Sequence, residues 1–279
     1  MKIVAITLLS LFLNWSASAH CNKAYHLSLK ERNILIKKAN AGDGNAAYRM
    51  YNYHSMSSRN ETESSKWLNR SAELGHAEAQ RWLAYMIIEY KRGHKAFGTT
   101  PQAAVLSLLT EASKTNGTAA NELGERYYQG FFGDGNKHEQ ARKSLLLAAS
   151  HHHSSSWKLL AYMLHKGEGG KEDQAKAYYY ICLSTQCTHP ASFGGKKLWK
   201  LRLTIEEKLT LVQKVEVWKN VDAYIAKERK RSDGRIYPPP LLGSAIPLKK
   251  WNESLKATNE FEDIHRKRLQ INKKLTNRW

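Results

Sequence analysis

Acidic residues are scarce in this chain of 279 residues: 25 Asp and Glu face 44 Lys and Arg, a formal net charge of +19. The shortage is uneven, with 22 basic against 15 acidic residues over 20–189 and 21 against 10 over 190–279. The last third therefore carries most of the excess, which favours acidic proteins, anionic lipid head groups or nucleic acid as partners. Cysteine is scarce too: Cys21, Cys182 and Cys187 leave one over after any pairing, so a fully paired disulfide framework is excluded. After residue 19 no run is long and apolar enough for a membrane helix, which argues against stable membrane insertion. Motifs that carry chemistry are missing as well. No glycine-rich phosphate loop follows a strand, no Gly-x-Ser-x-Gly elbow occurs, and there is no His-Glu-x-x-His. The chain reads as a non-enzyme without a cofactor or a metal site.

The first residues describe a secretory signal. Lys2 supplies a positive start, Ile3 to Leu13 an apolar stretch, and Ala17-Ser18-Ala19 a small-residue cleavage site before His20. Residues 1–19 are read as a signal peptide and the mature chain as beginning at His20. Lipid attachment at Cys21 is the alternative, disfavoured by His20 in front of it. Export makes nucleic acid the least favoured of the three partner classes.

A stagger of small and large residues recurs along the chain as Ala46/Met50, Ala79/Leu83, Ala119/Leu123 and Ser156/Leu160. A second set interleaves with it: Glu31/Leu35/Ala39, Ser64/Leu68/Ala72, Ala104/Leu108/Ala112, Ala141/Leu145/Ala149 and Ala175/Tyr179/Leu183. Two alternating helical signatures at a regular period predict an all-α solenoid of helix pairs, in which stacked neighbours share one core and leave a long concave surface. Ser28 and Glu31 form a capping box before a helix to about Asn40, so the array starts on a half unit. A further helix is expected over Ala46–Met56, then a polar loop over Ser57–Glu63.

The segment SAELGHAEAQRWLAYM, Ser71 to Met86, resembles the Sel-1-like subgroup of the tetratricopeptide-type repeats. Leu83-Ala84, Leu123-Gly124 with Tyr127, and Leu160-Ala161 match the first part of that unit, Gly130 and Gly167 its turns, and Ala72-x-x-Gly75 and Ala148-Ala149 its second helix. The resemblance spans about residues 29 to 185 and implies a right-handed solenoid. Tyr51 stands where the family has Gly at the fifth position, which should loosen packing between the two helices of the first unit. The stretch Lys91–Pro101 is longer than the family's turn and is either an inserted partner-binding loop or a plain connector.

The resemblance also implies a groove lined by the first helix of each pair. Carried over residue by residue, one row is Tyr48, Arg81, Asn121 and Lys158 and the next is Asn52, Tyr85, Glu125 and Tyr162, with Tyr and Arg the side chains that dominate binding hot spots. A solvent-facing helix row must hold polar residues in any case. His76 is read as a turn residue, and His151-His152-His153 as a solvated helix terminus.

The repeat solenoid is expected over 20–188 and a basic C-terminal helical region over 189–279. After Pro190, Ser192–Gly195 reads as a linker, and Thr204 with Glu207 as the cap of a helix to about Lys230 with Leu209, Val212, Val215 and Val221 inward. Residues 237–247 then hold Tyr237-Pro-Pro-Pro-Leu-Leu, an extended polyproline stretch, followed by Trp251 and a charged helix over about Glu253–Lys274. Tyr237 and Trp251 are candidate partner contacts. Cys182 and Cys187 are close enough for a disulfide in an oxidising compartment, the other reading being two unpaired thiols.

Exported Sel-1-like proteins of this size include immunity proteins that neutralise phospholipase effectors of type VI secretion systems. The resemblance thus implies a periplasmic protein-binding protein whose partner is a lipase or phospholipase effector. A scaffold of envelope assembly and a secreted host-interaction factor are the competing expectations.

Overall fold

The computed structural model describes residues 25–90, 97–133, 135, 137–186 and 195–231. They fall in two compact units, one up to Leu123 and one from Gly124 onward. Among the described residues every regular element is helical. The expected signal peptide over 1–19, Cys21, residues 91–96, Cys187, Pro190 and everything after Arg231, including Tyr237 and Trp251, lie outside the described residues.

The first unit contains α1 (Leu29–Asn40), α2 (Gly44–Asn52), α3 (Glu61–Glu73), α4 (Ala77–Tyr90) and α5 (Pro101–Ser113). The start of α6 (Gly117–Tyr128) also belongs to it, since the division falls inside that helix. Helices α1 to α5 pack on their neighbours in chain order, the arrangement of an α-solenoid. The stagger is the cause: Ala46, Met50, Ala79, Leu83, Ala119 and Leu123 are all buried, as are Leu35, Ala39, Leu68, Ala72, Ala104, Leu108 and Ala112. A small residue one turn from a large one lets one helix seat its Leu or Met against its neighbour's backbone.

Local signals set the ends of these helices. Ser28 and Glu31 make the expected reciprocal capping box on α1. Asn60 caps α3 through Glu63, so the polar stretch ends earlier than expected and the helix begins at Glu61. Thr100 caps α5, whose first residue is Pro101, where a missing amide hydrogen costs nothing. Helix α2 stops short of Met56 and passes into a π-helical turn, Tyr53–Ser57. Tyr51, expected to loosen the first unit, is half-buried against its core.

The second unit continues with α7 (His138–Ser150), α8 (Ser156–Lys166), α9 (Gln174–Gln186), α10 (Gly195–Glu206) and α11 (Leu211–Arg231). The neighbour-only pattern ends at α8, which also touches α10, and α9 packs on α8, α10 and α11 alike. Trp157, Leu160, Tyr178, Trp218 and Ile225 fill the core, with the Trp218 indole donating to the Tyr178 hydroxyl at 3.0 Å. At Gly124 an added Cβ would lie 2.7 Å from Leu145 Cγ, so the glycine of the Leu-Gly pair is there for close helix approach. Gly167 ends α8 in the left-handed conformation, as the repeat turn predicts.

Three expectations fail in this unit. The helix expected from a cap at Thr204 is two helices, because the reciprocal cap is made by Thr210 and Gln213 instead. Val212 is 77% exposed while Leu209, Val215 and Val221 are buried; beginning the helix at Leu211 turns Val212 outward. The histidine tract is no solvated terminus: all three histidines are half-buried, and His152 Nδ1 lies 3.1 Å from the Tyr224 hydroxyl and 3.4 Å from the buried carboxylate of Glu228 on α11.

Candidate interaction face

Three of the first helices in the repeat pairs, α2, α4 and α6, begin on a polar side chain three residues before the small core residue, whereas α8 has no side-chain cap. Asp43 accepts from the Ala46 amide, His76 from the Ala79 amide at 3.1 Å, and Asn116 from the Ala119 amide at 3.0 Å. Such caps each contribute about 1 kcal/mol. In the first unit they also fix the azimuth of α2, α4 and α6, because the residues after each cap carry the face that the sequence assigns to a groove.

Around His76 this produces an aromatic cluster. The Tyr48 ring stacks on the His76 imidazole with centroids 4.3 Å apart, and lies 5.5 Å from the Tyr51 ring. The Trp82 indole lies near enough to the Tyr48 hydroxyl to favour its ionised form slightly, and Trp82 meets Tyr85 edge to face at 5.7 Å. Burial, reinforced by nearby Glu78, pushes the Tyr48 hydroxyl up to about 12, and burial raises Tyr51 as well. Both phenols are therefore neutral across the physiological range. Burial lowers His76 below the ordinary imidazole range against the opposing pull of Glu78 and Asp43. A neutral ring is also what its cap requires, since Nδ1 must accept.

Beside the rings runs a charge network. Arg81 donates to both oxygens of Glu78, at 3.1 and 2.6 Å, and to Glu122 at 2.9 Å, while Asn116 donates to Glu78 at 2.9 Å. The side chain of Arg81 is 14% exposed, and its guanidinium lies 4.8 Å from the Trp82 ring centroid. Hydrogen bonds from Arg81 come after burial in size, yet with Arg81's charge they hold the Glu78 carboxyl below its usual range. The same pairing, led by Glu78, holds Arg81 firmly charged.

The expected groove residues thus divide. Tyr48 and Arg81 join one cluster, with Tyr85 at its edge, 40% exposed, and Asn52 half-buried on α2. Arg81 departs from its expected role: its cation is committed to Glu78 and Glu122, so it holds repeats together and offers little charge to a partner. Asn121 departs too, being only 5% exposed, because the row two residues before the repeat's Leu turns towards the packed interior at α6. In the second unit, Lys158 is exposed and Glu125 and Tyr162 are half-buried. Glu125 lies close enough to His153 to oppose the lowering that burial imposes on that ring.

Residues to which the repeat pattern assigns no groove position complete the face. His76 caps a helix and stacks on Tyr48 besides turning the chain, and Trp82, Glu78, Asn116 and Glu122 belong to the network around Arg81. The signal for them in the sequence is the cap itself: a polar residue three before the small core residue, repeating at 43, 76 and 116. Cys182 is wholly buried on α9, and its expected partner Cys187 lies outside the described residues. Among the described residues no cluster of metal-ligating side chains occurs, and no helix is long and apolar enough to cross a membrane.

No family model matches the chain, and no curated protein matches it. Among the solved structures similar to it are two repeat proteins. One is a protective antigen present in uropathogenic Escherichia coli strains and displaying an SLR fold, 20% identical, with a TM-score of 0.45 over 70% of this chain. The other is a Sel1 repeat protein from Oxalobacter formigenes, 21% identical, with a TM-score of 0.45 over 62% of this chain. The chain spans 48% of the first protein and 66% of the second.

Proposed function

We propose that this is an exported Sel-1-like repeat protein that works by binding another protein, and that its partner is a phospholipid-degrading effector of a type VI secretion system, which it holds inactive in the periplasm. The observation that carries the binding role is the Tyr48, His76, Trp82 and Tyr85 face. It is an amphipathic aromatic surface, rigidified by stacking and by helix caps, with Tyr85 outermost. Rings fixed before binding lose little entropy on contact, which is why such residues anchor interfaces. The leader-like first 19 residues and the basic balance of the chain support action in an exported setting on an acidic partner. Inhibition by occlusion needs area and complementarity and no catalytic group.

The test is to express the candidate effector in the periplasm of a sensitive strain with and without this protein. Survival only in its presence, together with a purified complex, supports the reading. Equal death in both cultures and no complex refutes it, and a search for envelope-assembly partners would then take priority.

A further inference from the structure

Helix α9 carries the last copy of the second repeat signature, and its open side points to an occupant. In the preceding copy Ala141 and Leu145 are wholly buried, whereas the equivalent Ala175 and Tyr179 are only half-covered. They open on a groove of about 680 Å³ between α9 and the first turns of α11. Tyr179 and Tyr180 stand edge to face in it at 5.2 Å, opposite Val212, 77% exposed, and Val217. Gln213 lies at its rim. Burial holds both tyrosine hydroxyls protonated, Tyr179 up to about 12, so they remain hydrogen-bond donors. The groove is thus a largely apolar, aromatic slot that Lys176, Glu216 and Asn220 also line, with hydroxyl, amide and ammonium donors among its side chains, the chemistry that receives polyproline segments, which have carbonyl acceptors and no amide hydrogens to satisfy.

The chain supplies such a segment at the right distance. Helix α11 ends at Arg231, and Asp233-Gly234, a turn-forming pair, comes directly after it. From Arg231 back to Gln213 is about 27 Å along the helix. From Gly234 forward to Leu242 is about 25 Å at the polyproline rise. A chain that reverses at Asp233-Gly234 and runs back along α11 therefore brings Pro240 to Leu242, about 19 to 25 Å back, level with the groove-lining stretch from Val212 to Asn220. Tethering by so few residues gives an effective concentration of about millimolar, enough for a modest contact to be occupied. We propose that the segment Tyr237-Pro-Pro-Pro-Leu-Leu242 docks in the Tyr179–Tyr180 groove of its own chain through Pro240 to Leu242, capping the face of the last repeat pair that a further repeat would otherwise cover.

The experiment uses the full-length protein with a benzophenone amino acid in place of the exposed Val212, irradiated at low concentration and digested with trypsin. The expected product is a cross-link within one chain to the peptide Ile236–Lys249. Replacing Pro238, Pro239 and Pro240 together with glycine should cut its yield about tenfold, through loss of preorganisation. The same change should raise amide exchange over Gln174–Gln186 while leaving the thermal transition of the repeats unchanged. Cross-links to a second copy, cross-links only to other parts of the chain, or a yield indifferent to the prolines would overturn the proposal.

Discussion

Arg81 on α4 and Glu122 on α6, 41 residues apart in the chain, are joined by a 2.9 Å hydrogen bond, and the same guanidinium holds both oxygens of Glu78. The pair ties one repeat to the next through charge rather than through the shared apolar core. Removing it leaves two partly covered carboxylates facing each other.

Arg81→Ala should therefore destabilise the protein by about 2 kcal/mol, the range for charge-assisted hydrogen bonds to partly buried groups. Lys158→Ala, at an exposed position, should change stability by less than about 0.5 kcal/mol. Chemical denaturation midpoints at constant slope measure both. Equal midpoints for the two variants would show that the network adds nothing.

The His76 cap gives stability a pH dependence of known sign. Burial holds the folded imidazole below its ordinary value, so on acidification the unfolded chain takes up the proton first. Stability is fully present above the unfolded value, about 6.5, and falls as pH drops below it towards the folded value. His54 and His153, also lowered chiefly by burial, act in the same direction. His76→Asn keeps a cap of the kind that Asn116 makes and removes one titrating ring. The variant's melting temperature should then decline less than that of the unaltered protein between pH 7 and about 5. An identical decline would remove His76 from the account.

Gly124→Ala tests the close approach of helices in the second unit. The new methyl would fall 2.7 Å from Leu145 Cγ, and overpacking of this kind costs about 1–3 kcal/mol. Shortening the neighbour in Gly124→Ala/Leu145→Val should recover part of the loss, giving a coupling that a thermodynamic cycle reads directly. Strict additivity of the two changes would place the strain elsewhere.

Repeat period and packing were legible in the sequence because they depend on residue size at fixed spacing, and Ala46, Met50, Ala79 and Leu83 show that in their burial. The capping box at Ser28 was legible for the same reason: it is local. What escaped depended on partners distant in the chain. Arg81 looks like a groove cation until Glu122 is seen beside it, and the histidine tract looks solvated until α11 covers it with Tyr224 and Glu228. The helix boundary near Thr210 was misplaced because Thr204 and Glu207 offer an equally good capping pattern, and only the burial of Ile205 and Leu209 at 0% and 6% decides between them.

Cys182 and Cys187 are expected to be bridged when the protein matures in an oxidising compartment. Closing so short a loop contributes modestly, less than the about 3 kcal/mol of a 15-residue loop. Peptide mapping after alkylation without reduction is the measurement. Alkyl groups found on both cysteines would exclude the bridge.

Binding itself should depend on rings more than on charge at the first-unit face. Tyr85 is the outermost ring, 40% exposed, and its loss leaves the Tyr48–His76 stack and the Arg81 network in place. Tyr85→Ala is therefore expected to leave the melting temperature within about 1 °C while weakening the complex with the proposed effector by tenfold or more, about 1.4 kcal/mol or above, as for an interface anchor. The basic balance of the chain predicts a different signature: added salt should slow association more than it speeds dissociation. Both quantities come from one set of kinetic binding measurements at several salt concentrations. If Tyr85→Ala binds as well as the unaltered protein, while charge-reversing changes in the last third abolish the complex, the partner engages the basic region and the aromatic face serves only to hold the repeats together.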